Sequence, residues 1–410
     1  MSSKRLFLAR FVAPMDAPLL RDGGVVVEGS TIVTLGPADA LAAAHRDAEV
    51  VNLGRAVLTP GLVNAHTHLE LSGMRRGRYS GNFVEWILSI RPRLSPDRSD
   101  FQQRLADALR IGVEQSVSAG VTTVGDISAF HELTRPILRI GQLRVVSYGE
   151  ALGLGRMREQ FSARLTTATD VSMQTDRLHV GLSPHSPYTV DRRGLEECLW
   201  LAKNNELPLS IHLAESRDEA DFLLHRSGPF RKLWETTGMW NDDVPLEHAT
   251  PVRMAHALGL LDHPTLLAHV NYADDEEVGL LSAGRASVVF CPRTHSWFGH
   301  VNHRWHDMLK RGVNVCVGTD SLASSPNLNL LDDLRLLRTQ RPDVDAGTLW
   351  TLITTRAARA LQMESHIGSI TPGKLADFAS FPVISDDPLN ELLTKIVLPD
   401  TVWINGDRVK

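Results

Sequence analysis

The sequence contains little cysteine, with only Cys198, Cys291 and Cys316 among its 410 residues. Such scattered cysteines exclude a disulfide framework and a cysteine-rich zinc module. The sequence also lacks an apolar run of the roughly 20 residues that cross a bilayer. In the amino-terminal stretch MSSKRLFLARFVAPMDAPLL, Arg10 and Asp16 break the uncharged core that a signal peptide needs. These absences predict a soluble, cytoplasmic protein.

A strong excess of charge of either sign is absent as well. The formal net charge is -5, from 43 basic and 48 acidic residues. This balance argues against a nucleic-acid backbone or an anionic membrane as the main partner. We therefore expect a small-molecule substrate, no nucleic acid and no membrane, and the composition leaves homo-oligomerisation open.

Strand-like runs occupy both ends of the chain. RLFLARFVA and GVVVEGSTIVTLG lie near the start, and GSITPGKLADFASFPV, KIVLP and TVWINGDRVK lie near the end. Each is a short apolar run broken or bounded by Gly and Pro, which is typical of small sheets. We predict that residues 1–57 and 365–410 together form one small β domain.

The central residues 58–364 alternate β-branched runs with longer helical patterns, which indicates repeated βα units around a parallel sheet. Eight runs are predicted strands: GLVNAHTH, GVTTVGDIS, LRVVSYGEA, LHVGLSPHS, LPLSIHLAE, TLLAHVNYA, ASVVFCPRT and VNVCVGTDS. Eight units in series favour a closed (β/α)8 barrel, with catalytic residues at the C-terminal strand ends. A doubly wound open sheet would also alternate, but no G-x-G-x-x-G follows the first strand.

The first predicted barrel strand ends in two histidines, His66 and His68. Side chains two residues apart on a strand point to the same face, so both imidazoles can reach one ion. Two histidines at this spacing also occur often by chance. The pair becomes informative only if other ligands accompany it.

Further candidate ligands do follow later predicted strands. Strand five ends in SIHLAES with His212 and Glu215, strand six in LLAHVNY with His269, and strand eight in CVGTDSLAS with Asp320. Imidazoles with a carboxylate suit Zn²⁺ or Fe²⁺ and can leave one position for water. Each residue alone is typical of a satisfied core or capping residue, but their joint placement at strand ends predicts a metal site.

The motifs LTPGLVNAHTHLE, SPHSPYTV, HLAES, AHV, GTDSLAS and GKLADF occur in this order along nearly the whole chain. In this combination the sequence resembles the amidohydrolase superfamily, specifically its mononuclear aminohydrolase and triazine-hydrolase branch. The resemblance implies a TIM-like (β/α)8 metal-dependent hydrolase barrel with a small β-sandwich built from both termini.

The resemblance also implies a role for each motif residue. It assigns one divalent ion per chain, Zn²⁺ with Fe²⁺ as the alternative, to His66, His68, His212 and Asp320. Glu215 matches the carboxylate that moves protons to and from the substrate, and His269 matches the histidine beside the metal-bound water. Strand four has no lysine that could bridge two ions, which fits the mononuclear branch.

The reaction that the resemblance implies is hydrolytic deamination of an adenine-type nucleoside by attack of metal-bound hydroxide. The substrate class comprises S-adenosylhomocysteine, methylthioadenosine, adenosine and aminodeoxyfutalosine. Asp320 would take a proton from the attacking water, and Glu215 would protonate the ring nitrogen. A triazine chlorohydrolase or a guanine or cytosine deaminase on the same metal core is the alternative, and a non-catalytic relative is a third reading.

Four further residues match substrate-facing positions of these deaminases: Glu85, Arg156, His185 and His295. His185 would contact the ligand near the base or ribose, Glu85 would accept from the ribose hydroxyls, and Arg156 would hold the distal part. A solvated helix residue and a surface ion pair are the alternatives for Glu85 and Arg156. Glu150 departs from the pattern, because some relatives have an arginine there for a substrate carboxylate.

The segment 217–264 carries an aromatic patch in SGPFRKLWETTGMW. It is predicted to be mostly helical. A lid, a subunit contact, or an inserted helix that packs on the barrel would each explain the aromatic residues.

Overall fold

The computed structural model describes residues 4–91, 95–244 and 247–410. Residues 1–3 of the predicted terminal domain and residues 245–246 of the segment 217–264 lie outside the described residues. The described chain is a mixed α/β protein, as predicted, with strands at both ends and alternating strands and helices between them.

Strands from both ends of the chain form one sheet. Its eight members are β1 (Lys4–Val12), β2 (Leu20–Glu28), β3 (Thr31–Pro37), β4 (Glu49–Asn52), β5 (Ala56–Pro60), β14 (Phe378–Pro382), β15 (Thr401–Ile404) and β16 (Asp407–Arg408). The order is β16-β15-β14-β5-β1-β2-β3, and β4 pairs with β1. The antiparallel pairing of β14 with β5 joins the two ends of the chain.

All eight predicted central strands are present. They are β6 (Leu62–Thr67), β7 (Val121–Ser128), β8 (Arg144–Glu150), β9 (Leu178–Ser183), β10 (Ser210–Leu213), β11 (Leu266–His269), β12 (Ser287–Phe290) and β13 (Asn314–Val317). They pair in parallel as two four-stranded sheets, β6-β7-β8-β9 and β10-β11-β12-β13. Nearly every residue of these strands is buried, because helices cover the outside of a parallel sheet.

The two parallel sheets touch at both of their edges. A parallel bridge joins Leu182 at the end of β9 to Leu209 just before β10. A second parallel bridge joins Thr67 of β6 to Asp320, which follows β13. These contacts bring the first and the last central strand side by side.

Sixteen α-helices lie among the described residues: α1 (Ala38–Ala44), α2 (Phe83–Ile90), α3 (Phe101–Ser118), α4 (His131–Arg139), α5 (Phe161–Ala168), α6 (Arg192–Asn204), α7 (Arg217–His225), α8 (Gly228–Thr236), α9 (Pro251–Ala257), α10 (Asp275–Ala283), α11 (Pro292–Trp297), α12 (Trp305–Lys310), α13 (Leu330–Gln340), α14 (Ala346–Thr351), α15 (Thr355–Ala360) and α16 (Pro388–Thr394). Several begin with a side-chain cap, and α10 has a full capping box from Asp274 and Glu277. No helix in these described ranges combines the length and the apolar character that crossing a membrane requires.

A buried ion pair ties the terminal sheet to the central strands. Arg144, at the start of β8, lies 3.3 Å from Asp377, just before β14, and both side chains are almost fully buried. The Asn405 backbone N–H donates to the same Asp377 carboxylate at 2.7 Å. A buried charge that lost its partner would cost several kcal/mol, so this contact couples the two regions.

The segment 217–264 packs through its aromatic residues against the main core and the segment that follows β9. Phe230 and Trp234 of α8 are buried in the main core, and Trp240 packs against that core. The Phe230 ring stacks on Tyr188 with centroids 4.0 Å apart, and the Trp234 indole N–H donates to the Tyr188 carbonyl at 2.8 Å. These contacts agree with the packing interpretation of the aromatic patch.

Candidate active site

The predicted metal-ligating side chains converge at the C-terminal ends of the parallel strands. His66 is the next-to-last residue of β6, and His68 follows that strand directly. His212 lies within β10, and Asp320 comes shortly after β13. His66, His212 and Asp320 are buried and His68 is nearly so. The sheets thus bring together residues up to 254 positions apart in sequence, from 66 to 320.

We call His66, His68, His212 and Asp320 the histidine cluster. The distances between their side chains suit the binding of one ion by all four. His68 Nε2 lies 3.2 Å from His212 Nε2. Asp320 Oδ1 lies 3.9 Å from His66 Nε2 and 3.7 Å from His68 Nε2. Two overlapping groups have their ligand atoms within 4.8 Å of one another: His66 with His212 and His269, and His66 with His68 and Asp320.

His66 gives the sharpest test of whether a cation fits here. Its ring is fully buried, and neither of its nitrogens has a hydrogen-bond partner among the described residues. Burying unpaired polar atoms is costly, and it is offset when those atoms bind a ligand. Burial, and then the neighbouring imidazole of His212, lower the pKa of His66 well below its usual value. The neutral ring that results is the form that binds a metal.

Asp320 is held in a fixed orientation by its backbone and by a serine. Its N–H donates to the His66 carbonyl at 3.1 Å, and its own carbonyl accepts from the Thr67 hydroxyl at 2.7 Å. The Ser324 hydroxyl donates to Asp320 Oδ2 at 2.6 Å. Oδ1 is the oxygen that faces His66 and His68. Asp320 has a left-handed backbone with φ +58°, a conformation that is uncommon for residues other than Gly but that Asp adopts more readily than most.

Glu215 lies beside the cluster and faces His269. Its Oε1 is 3.4 Å from His269 Nε2, and its Oε2 accepts a long hydrogen bond from the Tyr188 hydroxyl at 3.4 Å. Burial, and then the charge of Asp320, raise the pKa of Glu215 well above its usual value. A carboxyl group with a raised pKa is better suited to donate a proton to a bound ligand.

A second glutamate holds the backbone that presents Glu215. The Glu219 carboxylate on α7 accepts from the N–H groups of Ala214 and Glu215, at 3.0 and 2.8 Å. Ala214 has φ +50°, so these two bonds fix a turn that an alanine seldom adopts by itself. Glu219 is therefore part of the support for Glu215.

His185 is the one predicted substrate-facing residue that the structure places against the cluster. Its ring lies 4.9 Å from the His212 ring, and its carbonyl accepts from the His212 N–H at 2.8 Å. Its Nδ1 lies 2.9 Å from the Thr189 hydroxyl, and its Nε2 lies 3.8 Å from Glu150. Glu150 is buried, and burial raises its pKa to about 7.

The other three predicted substrate-facing residues have local partners. Glu85 is exposed in the first turn of α2 and accepts from the Ser80 hydroxyl at 2.8 Å. Arg156 is exposed, and its backbone N–H donates to Met239. His295 is buried on α11, with its ring 5.3 Å from that of Phe290. These observations do not join the three residues to the histidine cluster.

Sequence reasoning missed three residues that support the cluster: Tyr188, Glu219 and Ser324. Tyr188 lies inside the quoted motif SPHSPYTV, and Glu219 lies four residues after Glu215, at the spacing of one helical turn. Those two positions carried a signal that could have been used. Ser324 is the last residue of the quoted motif GTDSLAS, so that position also carried a signal.

Comparison with known proteins identifies the class. The Amidohydrolase family matches residues 57–228 and 241–409, so the chain belongs to that family, as its motifs predicted. A 5-methylthioadenosine/S-adenosylhomocysteine deaminase of Moorella thermoacetica is 27% identical over 418 residues, covering 96% of this chain and 91% of the relative. An aminodeoxyfutalosine deaminase of Deinococcus radiodurans is 32% identical over 342 residues, covering 80% and 78%.

A solved structure shows the same fold. An adenosine deaminase from Xanthomonas campestris with bound zinc has a TM-score of 0.83 at 23% identity, covering 99% of this chain and 92% of that one. Family membership and the deaminase relatives together define a hydrolytic enzyme that acts on C–N bonds, which confirms the predicted enzyme class.

Proposed function

We propose that this protein is a metal-dependent hydrolytic deaminase of an adenine-type nucleoside. One observation carries the proposal: buried imidazoles and the Asp320 carboxylate converge at strand ends, with the buried Glu215 carboxyl group beside them. Hydrolytic removal of an amine needs a nucleophile, a proton donor and a fixed geometry between them. The deaminase relatives support the choice of leaving group, which is ammonia.

The proposed architecture is a closed (β/α)8 barrel over residues 58–364, with residues 1–57 and 365–410 as a small terminal β-sandwich domain. The bridges at Leu182 and Thr67, which join the two parallel sheets at both edges, support barrel closure. The pairing of β14 with β5 supports a terminal domain built from both chain ends. Catalytic residues at C-terminal strand ends are the usual arrangement in such barrels.

We propose that the cluster holds one divalent ion per chain, Zn²⁺ with Fe²⁺ as the alternative. Its ligands would be His66, His68, His212 and Asp320. When bound, such an ion supplies a nucleophile near neutral pH by lowering the pKa of a water molecule. The solved adenosine deaminase with bound zinc, which has this fold, supports zinc as the first choice.

The side chains around this site would then move and hold the protons. Asp320 would accept a proton from the attacking water, with Ser324 fixing Oδ2. Glu215 would donate a proton to the ring nitrogen, where negative charge would otherwise develop, and would later help deliver one to the departing amine. His269, 3.4 Å from Glu215, would hold the attacking oxygen by hydrogen bonding.

Substrate recognition would use residues around the mouth of the barrel. His185 would contact the base or ribose, since its ring already lies against His212. Glu85, Arg156 and His295 are proposed to complete the pocket, with Glu85 accepting from the ribose hydroxyls and Arg156 holding the distal part of the ligand. The protein is proposed to act in the cytoplasm on a small molecule, and a homo-oligomer remains open.

An ammonia-release screen tests this function. The panel should contain adenosine, methylthioadenosine, S-adenosylhomocysteine, aminodeoxyfutalosine, guanine, cytosine and a chlorotriazine, each with Glu215→Gln as the matched inactive control. We expect ammonia from at least one adenine nucleoside and none with the control. Release from guanine or cytosine alone, or chloride release from the triazine alone, would establish the alternative activity instead. A protein with no turnover and no bound divalent ion would support a non-catalytic relative.

A further inference from the structure

A surface cavity of about 690 Å³ lies behind the loop that follows β12. Its wall contains four imidazoles, His295, His300, His303 and His306, together with Phe290 and Trp305. None of these four histidines belongs to the metal-ligating set proposed above. His303 differs from the other three because one of its hydrogen bonds runs directly to the backbone of His269 in the candidate active site.

The hydrogen bonds of His303 define its tautomer. The Trp305 backbone N–H donates to Nδ1 at 2.9 Å, so Nδ1 is an acceptor and the ring proton must lie on Nε2. Nε2 lies 2.8 Å from the His269 carbonyl oxygen and therefore donates to it. Burial lowers the pKa of His303 to about 4, which agrees with a neutral ring.

The ring of His303 is also held by stacking. Its centroid lies 3.8 Å from that of Phe290 at an interplanar angle of 18°. Phe290 is the last residue of β12, so the imidazole rests on a rigid strand end. Two hydrogen bonds and one stacked face leave the ring little freedom, and the donor direction toward His269 is fixed.

The backbone that receives this hydrogen bond is strained. His269 has φ +75° and Val270 has φ +49°, and a β-branched residue in this region is a genuine outlier. Such a conformation costs of order 1–3 kcal/mol per residue and persists only where its surroundings hold it. The His269 side chain leaves this turn toward Glu215, with Nε2 and Oε1 3.4 Å apart.

We propose that His303 is a positioning residue for the deamination reaction. Its neutral Nε2–H group fixes the His269 carbonyl and, through the strained turn, sets the direction of the His269 imidazole toward Glu215. This inference rests on the proposed function, because His269 and Glu215 must act together for the positioning to affect turnover. Among the described residues, the hydrogen bonds and ring contacts of His303 reach His269, Trp305, Phe290 and His295, and none reaches a proposed ligand of the ion or a proton-transferring oxygen atom.

Three variants distinguish the effect of the Nε2–H donor of His303 from the effect of its ring shape. His303→Phe keeps a flat ring on Phe290 and removes the donor, whereas His303→Gln places an amide N–H near the former Nε2 position. His306→Phe is the matched control, because it makes the same change in the wall of the same cavity, three residues after His303 and outside the active site. Each variant is assayed for kcat, KM, bound metal and melting temperature on the best substrate.

We expect His303→Phe to lower kcat about 10- to 100-fold with KM changed less than about threefold, the usual effect of a displaced catalytic group. His303→Gln should recover most of that loss, and His306→Phe should match the unmodified enzyme, all at equal metal content. Unchanged kcat in His303→Phe would overturn the proposal. Equal losses in the Phe and Gln variants would also overturn it, because ring shape and not the donor would then be responsible.

A second measurement does not depend on activity. Long-range ¹H–¹⁵N spectra of histidine-labelled protein identify the tautomer of each ring, and the His303→Gln variant assigns the His303 signals by their absence. We expect the neutral Nε2–H form at pH 7, and a neutral Nδ1–H form would overturn the proposal. If the unmodified enzyme released no ammonia in the screen, the proposed function would fail while this test of the hydrogen bond would stand.

Discussion

The candidate site residues at the strand ends differ in burial and in backbone support from those on the surrounding segments. His66, His212 and Asp320 are buried and held by neighbouring strands, whereas Glu85 and Arg156 are exposed on short helical segments. Parallel strands deliver their C-terminal residues to one rim with little freedom, which suits groups that must meet within fractions of an ångström. Exposed segments can vary without disturbing that rim. The proposed roles would therefore place the reaction chemistry on this rim and part of substrate recognition on the exposed segments.

We expect the largest loss of kcat from substitutions among the buried residues at the strand ends. We expect Glu215→Gln and Asp320→Asn each to lower kcat by about 10²- to 10⁴-fold, because each removes a proton-transferring group at nearly unchanged volume. Steady-state ammonia release measures the loss. Glu132→Gln, an exposed change on α4, is the control and should leave kcat unchanged. An Asp320→Asn enzyme with normal turnover would remove Asp320 from its proposed role.

Removal of the metal tests whether the buried histidines and Asp320 bind an ion together. We expect a chelator to abolish turnover and lower the melting temperature by several degrees, since a ligand that binds only the folded state stabilises it. Readdition of Zn²⁺ should restore both. Elemental analysis should find about one ion per chain, in keeping with the mononuclear assignment. Two ions per chain would refute that assignment, and an unchanged melting curve after complete removal would show that His66 needs no cation.

The central strands and the buried residues at their ends were also the part of the structure that the sequence could predict. Alternation of strand and helix predicted all eight central strands, and the residues His66, His68, His212, Glu215, His269 and Asp320 all lie at or just beyond strand ends. The predictions held because strand direction in a parallel sheet fixes where the chain emerges. Their metal-binding and catalytic roles stay predictions that the variants above test.

Loop geometry was the part that sequence could not predict. The contact of His303 with His269 depends on left-handed backbone at His269 and Val270, for which no glycine or asparagine gives a signal. Tyr188 meets Glu215 because α8 packs on its ring. Such contacts arise from the packing of distant segments, and local residue preferences carry little information about them.

An intermediate effect is expected at Glu85. If it accepts hydrogen bonds from ribose hydroxyls, Glu85→Ala should raise KM for ribosides about 10-fold, the usual cost of losing a hydrogen bond to a charged group, with kcat nearly unchanged. Ser80→Ala is the control, because it removes the present partner of Glu85 and leaves the carboxylate free. A matching rise in KM for a substrate without ribose would show that Glu85 acts on the fold of α2 and not on the sugar.

The smallest effect is expected at Arg156, and it would sharpen the comparison most. Arg156 is exposed, so any ion pair with the distal part of a ligand is screened by water and salt and worth about 1 kcal/mol or less. Arg156→Ala should therefore raise KM less than about fivefold, only for substrates with an anionic distal group, and the difference should vanish at high ionic strength. Arg156→Lys, which keeps the charge, should retain most of the affinity. A large, salt-independent rise in KM for neutral nucleosides would mean that the exposed segment closes over the substrate. Arg156 would then be buried in the complex and held as rigidly as the residues at the strand ends.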